Sequence, residues 1–593
     1  MENRKQIPVG IDDFKKLIDR DAYLVDKSLL IKKVIENVSE VILFTRPRRF
    51  GKTLNFSMLK YFLEIPEARR HGREKQDLDY LFKDLAIYQE EEIINDHFGK
   101  YPVINLSFKK VKANNWENAK YLLKEEISRE YNRHSYLLEE NIITPIGNKR
   151  KFERIMNMEG QSIEYTSAIA DLSKYLSAYY SKNKYKNKKY KDKVIVLIDE
   201  YDTPLHYAKL NGYYDEMLDI MRALMVDGMK GNDNLEKGIV TGIMKISQES
   251  IFSSFNNPDI ATITDGYCAN YFGFTETEVK TMLDYYGLSD ELATVQKWYN
   301  GYNFGRDNII YNPWSILNFI KAEDHKPRPY WVNTGDPELI KRSLQLDYKQ
   351  GKQYVEDLYK GKTVKAEIEQ NIVYEDVFNN VDKALSFLLH SGYLKAVNIE
   401  DKVDTYQLSI PNREIKQIYK NILKNWFDRD QQTNHLIKDM LEDLLNSRIN
   451  KFKDDLASLL LTVSSYYDAA SANSQLKKTD KKEETDRYEN FYHGLMLGIM
   501  VNINDDYYVV SNREFGEGRP DLVLIPTDNN KNTFILELKN ELTSAKTSSE
   551  EAAEAALQQI YDKKYEAGVK NTGVTKIVKI GLGFKGKEVA VKW

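Results

Sequence analysis

The stretch Val41-Ile-Leu-Phe-Thr-Arg-Pro-Arg-Arg-Phe-Gly-Lys-Thr53 constrains this chain more than any other. A short apolar run that ends in Gly51-Lys52-Thr53 and opens a helix is a way of holding nucleotide phosphates. Amides of the loop and of the helix N-terminus point at the phosphate oxygens, the Lys brings positive charge to them, and the Thr hydroxyl ligates magnesium. The run therefore points to an α/β sheet and to ATP or GTP as ligand, with Arg49, Phe50, Gly51, Lys52 and Thr53 as the cradle. The spacing departs from G-x-x-x-x-G-K-[ST], because the residue five before Gly51 is Arg46.

A second element supports the first. Val194-Ile-Val-Leu-Ile-Asp-Glu200 is a continuous apolar run followed by two acids, the pattern of a central parallel strand covered on both faces. At its carboxyl end Asp199 is suited to the magnesium shell of a nucleotide, and Glu200 to polarising an attacking water. The pieces around these runs alternate: Val41–Phe44 as strand, a helix from Thr53 through Leu54, Met58, Leu59 and Phe62, and Pro102–Phe108 as strand. Gly238–Met244 reads as a further buried strand, in which Thr241 is the candidate sensor of the γ-phosphate.

From about 275 onward helical patterns dominate. Thr275 and Glu278 have capping-box spacing ahead of an apolar helix. The aromatic segments Trp298–Phe304 and Tyr311–Trp314 read as packing. Lys182–Lys193, with seven lysines and one acid, reads as a solvated loop. Ser471–Arg487 reads as an exposed linker. The expected organisation is a P-loop parallel-sheet domain over 1–274, a mainly helical region over 275–470, a linker over 471–487, and a second α/β domain over 488–593.

That last domain carries its own constellation. Residues 505 to 539 read as a β meander: Tyr507–Val510, a turn at Gly516-Glu-Gly518, Arg519–Ile525, and Thr533–Lys539. On the last strand Glu537 and Lys539 are two apart and share a face, while Leu538 turns into the core. Asp521, at the start of the neighbouring strand, is brought beside them. Two carboxylates and an ammonium at one spot suit metal-dependent phosphodiester hydrolysis: Asp521 and Glu537 ligate Mg²⁺ or Mn²⁺, and Lys539 orients or activates the water. Glu489 is a further candidate carboxylate, and Gln559 a candidate contact to the scissile strand.

Taken together, these stretches resemble the bacterial family that joins an AAA-ATPase-like N-terminal domain to a PD-(D/E)XK-superfamily nuclease domain. Besides the segments above, Ile7-Pro-Val-Gly-Ile11, Tyr23-Leu-Val-Asp-Lys27, Asp199-Glu-Tyr-Asp-Thr-Pro204, Pro411-Asn-Arg-Glu414 and Tyr492-His-Gly494 carry the likeness. The resemblance implies an AAA/ASCE-type sheet and a C-terminal restriction-endonuclease-like fold. It implies ATP and Mg²⁺ as cofactors, with Lys52, Thr53, Asp199 and Glu200 as the ATPase residues and Asp521, Glu537 and Lys539 as the nuclease residues. A missing first Gly is usual in that family. Lys245 stands where the family's Arg is expected, and Ser254-Phe255 precede Asn256-Asn257 where Gly-Leu is more usual. The implied partner is nucleic acid, DNA before RNA, and the implied role is the handling of foreign or mobile DNA.

Composition narrows the setting. Over 593 residues, 86 basic against 90 acidic side chains give a net charge of −4, so nucleic-acid contact has to be local. The single Cys268 excludes disulfides and thiolate zinc clusters within one chain. The N-terminus lacks the apolar core of a signal peptide and no run is long enough to span a bilayer, which gives a cytoplasmic address and no membrane partner. A homo-oligomer is compatible with these features. The rival reading is a nucleotide-switched scaffold whose nuclease fold only binds a partner.

Overall fold

A computed structural model of the protein describes residues 4–65, 78–139, 142–182, 190–246, 258–305, 308–331, 354–355, 357–372, 377, 380–398, 404–427, 431–471, 492–493, 495–500, 503, 506–511, 514–540, 548–585 and 588–593. The segments Ser254–Asn257, Glu489, nearly all of the proposed linker and the centre of the lysine-rich loop lie outside the described residues. By compactness the chain divides into residues 1–352 with 363–416, and residues 353–362 with 417–593.

In the first unit the run Val41–Thr45 (β1) lies within a five-stranded sheet together with Val103–Ser107 (β2), Val194–Asp199 (β3), Leu235–Gly242 (β4) and Asp259–Ala261 (β5). All pairings are parallel, in the order β2-β3-β4-β1-β5. Both β1 and β3 are buried at every position, as unbroken apolar runs require. With β4 between them, the strand that feeds Gly51 and the strand that ends in Asp199 release their chains at the same carboxyl edge, where ligands of open α/β sheets bind.

The capping box at the next helix is closed: the Thr275 N–H donates to Glu278 Oε2 at 2.7 Å, and the Glu278 N–H donates to Thr275 Oγ1 at 3.4 Å. The region after it mixes helices with two three-stranded sheets. Its aromatic segments pack inward: Tyr299 and Tyr311 are buried in one core with Val279, Met282 and Phe319.

The second unit holds a five-stranded sheet built from Tyr507–Ser511 (β6), Leu522–Pro526 (β7), Thr533–Asn540 (β8), Ile577–Lys585 (β9) and Glu588–Lys592 (β10), in that order. All neighbours are antiparallel except β8 and β9, which run parallel from Thr533↔Ile577 to Asn540↔Phe584. A parallel pair needs a crossover. Here it contains the helix Ser549–Asp562, which packs on β9. Leu536, Leu538, Leu582 and Phe584 face one apolar cluster, which also takes in the helices Gln431–Leu445 and Ile449–Ser471. The compact core around the sheet thus begins upstream of residue 488.

Ile535, Glu537 and Lys539 face the opposite side, toward the Ser549–Asp562 helix. That helix lies close because β9 carries glycines at alternate positions: a Cβ at Gly581 would stand 2.2 Å from the Ala553 carbonyl oxygen, and one at Gly583 2.0 Å from that of Ser549. Backbone atoms cannot rotate away, so Gly583→Ala is expected to destabilise this unit by about 1–3 kcal/mol or more, read as a lowered denaturant midpoint. An unchanged midpoint would show that the helix does not sit on the strand this way.

Candidate active sites

The phosphate-type loop is held by side chains at nearly every residue. Arg46 is fully buried and donates from Nη1 to the carbonyls of Thr45 (2.8 Å) and Ala261 (2.7 Å), and from Nη2 to that of Tyr267 (2.8 Å). Its guanidinium also lies 5.2 Å and 5.3 Å from the rings of Phe272 and Phe304. Burial lowers its pKa to about 10, which leaves it charged at neutral pH. Arg46 therefore ties the end of β1 to β5 and to the loop after it, at the position where the common pattern has Gly. Arg48 offers its carbonyl to the Trp331 indole N–H at 3.1 Å, Arg49 stacks 4.2 Å from the Trp314 ring, and Phe50 packs 5.0 Å from Tyr302 and 5.3 Å from Phe304.

Gly51 then takes the left-handed conformation, φ +83°, that a side chain would resist, and caps the helix Lys52–Leu63. Lys52 Nζ is buried and donates to the carbonyls of Arg46 (2.8 Å) and Pro47 (3.0 Å). Burial lowers its pKa, against the attraction of Glu200, Asp202 and Asp199.

Opposite the loop, Asp199 accepts from Thr53 Oγ1 at 2.8 Å and from Thr241 Oγ1 at 2.7 Å. Burial, and then Glu200, raise its pKa, and the two hydroxyls oppose that rise. Thr241 does not line the cavity beside the loop. It is fully buried, and its hydroxyl donates to Asp199 and supports that carboxylate. Lys245 is likewise not among the cavity-lining residues: it pairs with Asn371 in a two-stranded parallel ladder.

Glu200 does line that cavity, which measures about 270 Å³ and also takes in Arg48 to Asn55. Its backbone is left-handed, φ +54°, and its Oε2 accepts from Thr203 Oγ1 at 3.1 Å. Asp202, which the sequence reading passed over, is buried and accepts from the amides of Ile243 (2.7 Å) and Met244 (3.3 Å), and its pKa is raised to about 6 by burial. Its signal in the sequence was its place in Asp199-Glu-Tyr-Asp202.

In the second unit the β7/β8 ladder runs out at Leu522↔Leu536, and side chains continue it. The Asp521 N–H donates to Glu537 Oε2 at 3.2 Å, and the Leu538 N–H donates to Asp521 Oδ2 at 2.8 Å. The two carboxylates are thus adjacent, and the alternation that sends Leu538 into the core puts Lys539 on Glu537's face. Gln559, on the crossover helix, donates to Glu537 Oε1 and lies 3.4 Å from the Tyr565 hydroxyl. His493 Nε2 lies 3.1 Å from the Asp521 carbonyl oxygen and 3.2 Å from Ser511 Oγ. Glu537 is 3% exposed; burial and then Asp521 push its pKa up to about 8, with Lys539 and Gln559 pulling the other way. Two hard oxygen donors held side by side suit Mg²⁺ or Mn²⁺, ions that are held by one or two carboxylates and keep several waters. Among the described residues no cluster of three or more His, Cys, Asp or Glu could hold a metal.

Comparison with known proteins accords with this geometry. Residues 8–252 match the family model described as a predicted AAA-ATPase, and residues 487–593 match that of the PD-(D/E)XK nuclease superfamily. The chain therefore joins an AAA-ATPase-like domain to a PD-(D/E)XK-superfamily domain. A curated relative, described as an uncharacterized protein in the vnfD 5′ region of Azotobacter chroococcum mcd 1, is 27% identical over 342 residues, 57% of this chain and 56% of that protein. The match thus spans little more than half of that relative's length. Among solved structures, a Walker-type ATPase of Pyrococcus abyssi aligns at 14% identity with a TM-score of 0.34, over 71% of this chain and 99% of that one.

The raised pKa of Glu537 has a measurable consequence. Without metal the folded chain holds this proton more tightly than an ordinary carboxyl does, so the associated stability is complete below about 4.5 and is lost as pH climbs through about 8. In chelator, wild type and Glu537→Gln should melt alike near pH 5, and wild type should fall progressively below the variant toward pH ~8.5. A constant difference across that range would show that Glu537 ionises as an exposed acid does.

Proposed function

We propose that the chain binds and hydrolyses ATP with Mg²⁺, and that its nucleotide state governs a Mg²⁺- or Mn²⁺-dependent nuclease acting in the cytoplasm on foreign or mobile DNA. The observation that carries the reading is the 2.8 Å hydrogen bond from Thr53 to Asp199. It brings the hydroxyl after the phosphate-loop Lys and the acid at the end of β3 to one point, where a nucleotide-bound magnesium is shared. Gly51 and the following amides receive the phosphates, Lys52 exchanges its loop carbonyls for phosphate oxygens, and Glu200 takes the proton of the attacking water.

The nuclease half rests on the interlock of Asp521 with Glu537. A divalent ion held there would polarise the scissile phosphate and lower the pKa of its bound water. Gln559 fixes the orientation of Glu537, and Lys539 orients the water. Both conclusions concern a chain in which no helix among the described residues is long and apolar enough to cross a membrane.

Coupling between the halves has a support in the first unit. Buried Glu414, in the first turn of the helix Arg413–Phe427, accepts from the Trp331 backbone N–H at 2.6 Å and from Ser315 Oγ at 2.7 Å. Trp331 in turn bonds the Arg48 carbonyl of the phosphate loop. A change in the loop on nucleotide binding thus bears on the helix that leads, along the chain, toward the nuclease.

Two variants test the halves separately. Lys52→Ala is expected to abolish ATP turnover, measured as phosphate release, and retained full turnover would defeat the ATPase assignment. Lys539→Ala is expected to lose metal-dependent cleavage of DNA by at least about 10²-fold while its melting temperature stays at the wild-type value. Equal cutting by the variant would leave a nucleotide-switched scaffold as the better reading.

A further inference from the structure

The cavity beside the phosphate loop carries more positive charge than the loop itself needs. Its wall includes Arg48, Arg49, Lys52, Lys109 and Lys112. Lys109 is paired with Asp12 at 2.8 Å, and Lys52 is bound to loop carbonyls. Arg48, Arg49 and Lys112 have no ion-pair partner among the described residues. The carboxylate of Asp26 is engaged by the amides of Ser28 (2.8 Å) and Ala86 (2.7 Å), and Glu200 is the acid whose charge acts most on Lys112 and Arg49. Such a wall is complementary to a polyanion.

Lys112 is the member of this set that does not come from the phosphate loop, and the fold aims it. Its neighbours Val111 and Ala113 are buried, 1% and 9% exposed, so the side chain between them is turned out. The segment is pinned by the Tyr213 hydroxyl donating to the Ala113 carbonyl at 2.7 Å, and by the Lys112 N–H donating to Lys110 O at 2.8 Å. Lys112 Nζ stands 5.4 Å from the Tyr207 ring, on the helix Thr203–Asn211 that begins just after Glu200. His206 on the same helix reports the field, since its pKa is lowered to about 3 by burial and then by Arg48 and Lys112.

We propose that Lys112 is the cation that stabilises the γ-phosphate during transfer, supplied from within the same chain and not by a second copy. The proposal rests on the ATP reading above. In that step the oxygen of water bonds to the γ-phosphorus as the bond from phosphorus to the β,γ-bridging oxygen breaks. The electron pair leaves on ADP and the water proton passes to Glu200. Charge on the transferring phosphoryl oxygens is what a finger-type cation compensates, and such a cation reaches its site either in cis or in trans.

The test measures kcat and specific activity against protein concentration, with binding of Mg²⁺ and the non-hydrolysable analogue AMPPNP measured alongside, for the full chain. Lys112→Ala is expected to lower kcat by ~10²-fold or more while the analogue Kd stays within about 3-fold, with the melting temperature unchanged and Lys112→Arg recovering part of the rate. Wild-type specific activity is expected to be constant on dilution. A Lys112→Ala enzyme with wild-type kcat overturns the proposal and leaves the ATPase reading standing, as does a loss confined to analogue affinity. Wild-type activity that falls on dilution overturns the in-chain supply. A wild-type chain that neither binds the analogue nor releases phosphate overturns both readings together.

Discussion

A single buried carboxylate joins the parts of the nucleotide site. Asp199 ends a buried strand and is itself buried, which makes its charge costly unless donors surround it. Thr53 supplies one from the helix after the phosphate loop and Thr241 supplies another from β4, so one side chain ties β3, β4 and the helix after β1 at the sheet's carboxyl edge. Thr241 Oγ1 also lies 3.3 Å from the Glu200 N–H, which extends the same network to the residue aimed at the cavity. Removing Asp199 would take the acceptor from the buried Thr241 hydroxyl and the half-buried Thr53 hydroxyl, and removing either hydroxyl would leave the carboxylate under-satisfied.

The loop itself is stiffened by an unusual means. Where the common pattern uses a glycine to let the backbone turn, this chain places a buried arginine whose guanidinium binds three carbonyls and lies against two aromatic rings. Trp331, Trp314, Tyr302 and Phe304 secure the next residues. Apart from the Thr45 carbonyl, these partners come from β5 and the residues that follow it, so the loop's shape depends on chain well downstream of it. That dependence is a physical route by which the middle of the chain and the nucleotide site affect one another.

Local pattern carried much of this. Apolar runs ending in Gly-Lys-Thr and Asp-Glu located the two strands, because strands covered on both faces admit little else, and the period of two placed Glu537 and Lys539 on one face. What stayed hidden was set by distant contacts. Trp331 meets Arg48 across 283 positions, and no periodicity announces it. The expectation that Thr241 senses the γ-phosphate rested on its place in a strand beside polar residues, and only the packing shows its hydroxyl bonded to Asp199. β9 escaped notice because Gly581 and Gly583 argue against a strand when read alone, and make sense only once a helix lies on them. Lys112 had one faint signal, a charge between two small apolar residues.

The two sites are built with opposite electrostatic deficits, and each deficit defines a ligand. At the nucleotide site the carboxylate is satisfied by hydroxyls and the surplus is cationic, with Arg48, Arg49 and Lys112 lining a cavity that contains Glu200. That surplus repels itself, and on the proposed reading a polyphosphate would relieve it. At the second site a backbone N–H bonds each acid, and Gln559 adds a side-chain donor to Glu537. Burial, and then Asp521, push a proton onto Glu537, which on the proposed reading a divalent cation would displace. On that reading the PD-(D/E)XK-superfamily domain is expected to gain metal as pH rises, for the same reason that the metal-free fold loses stability.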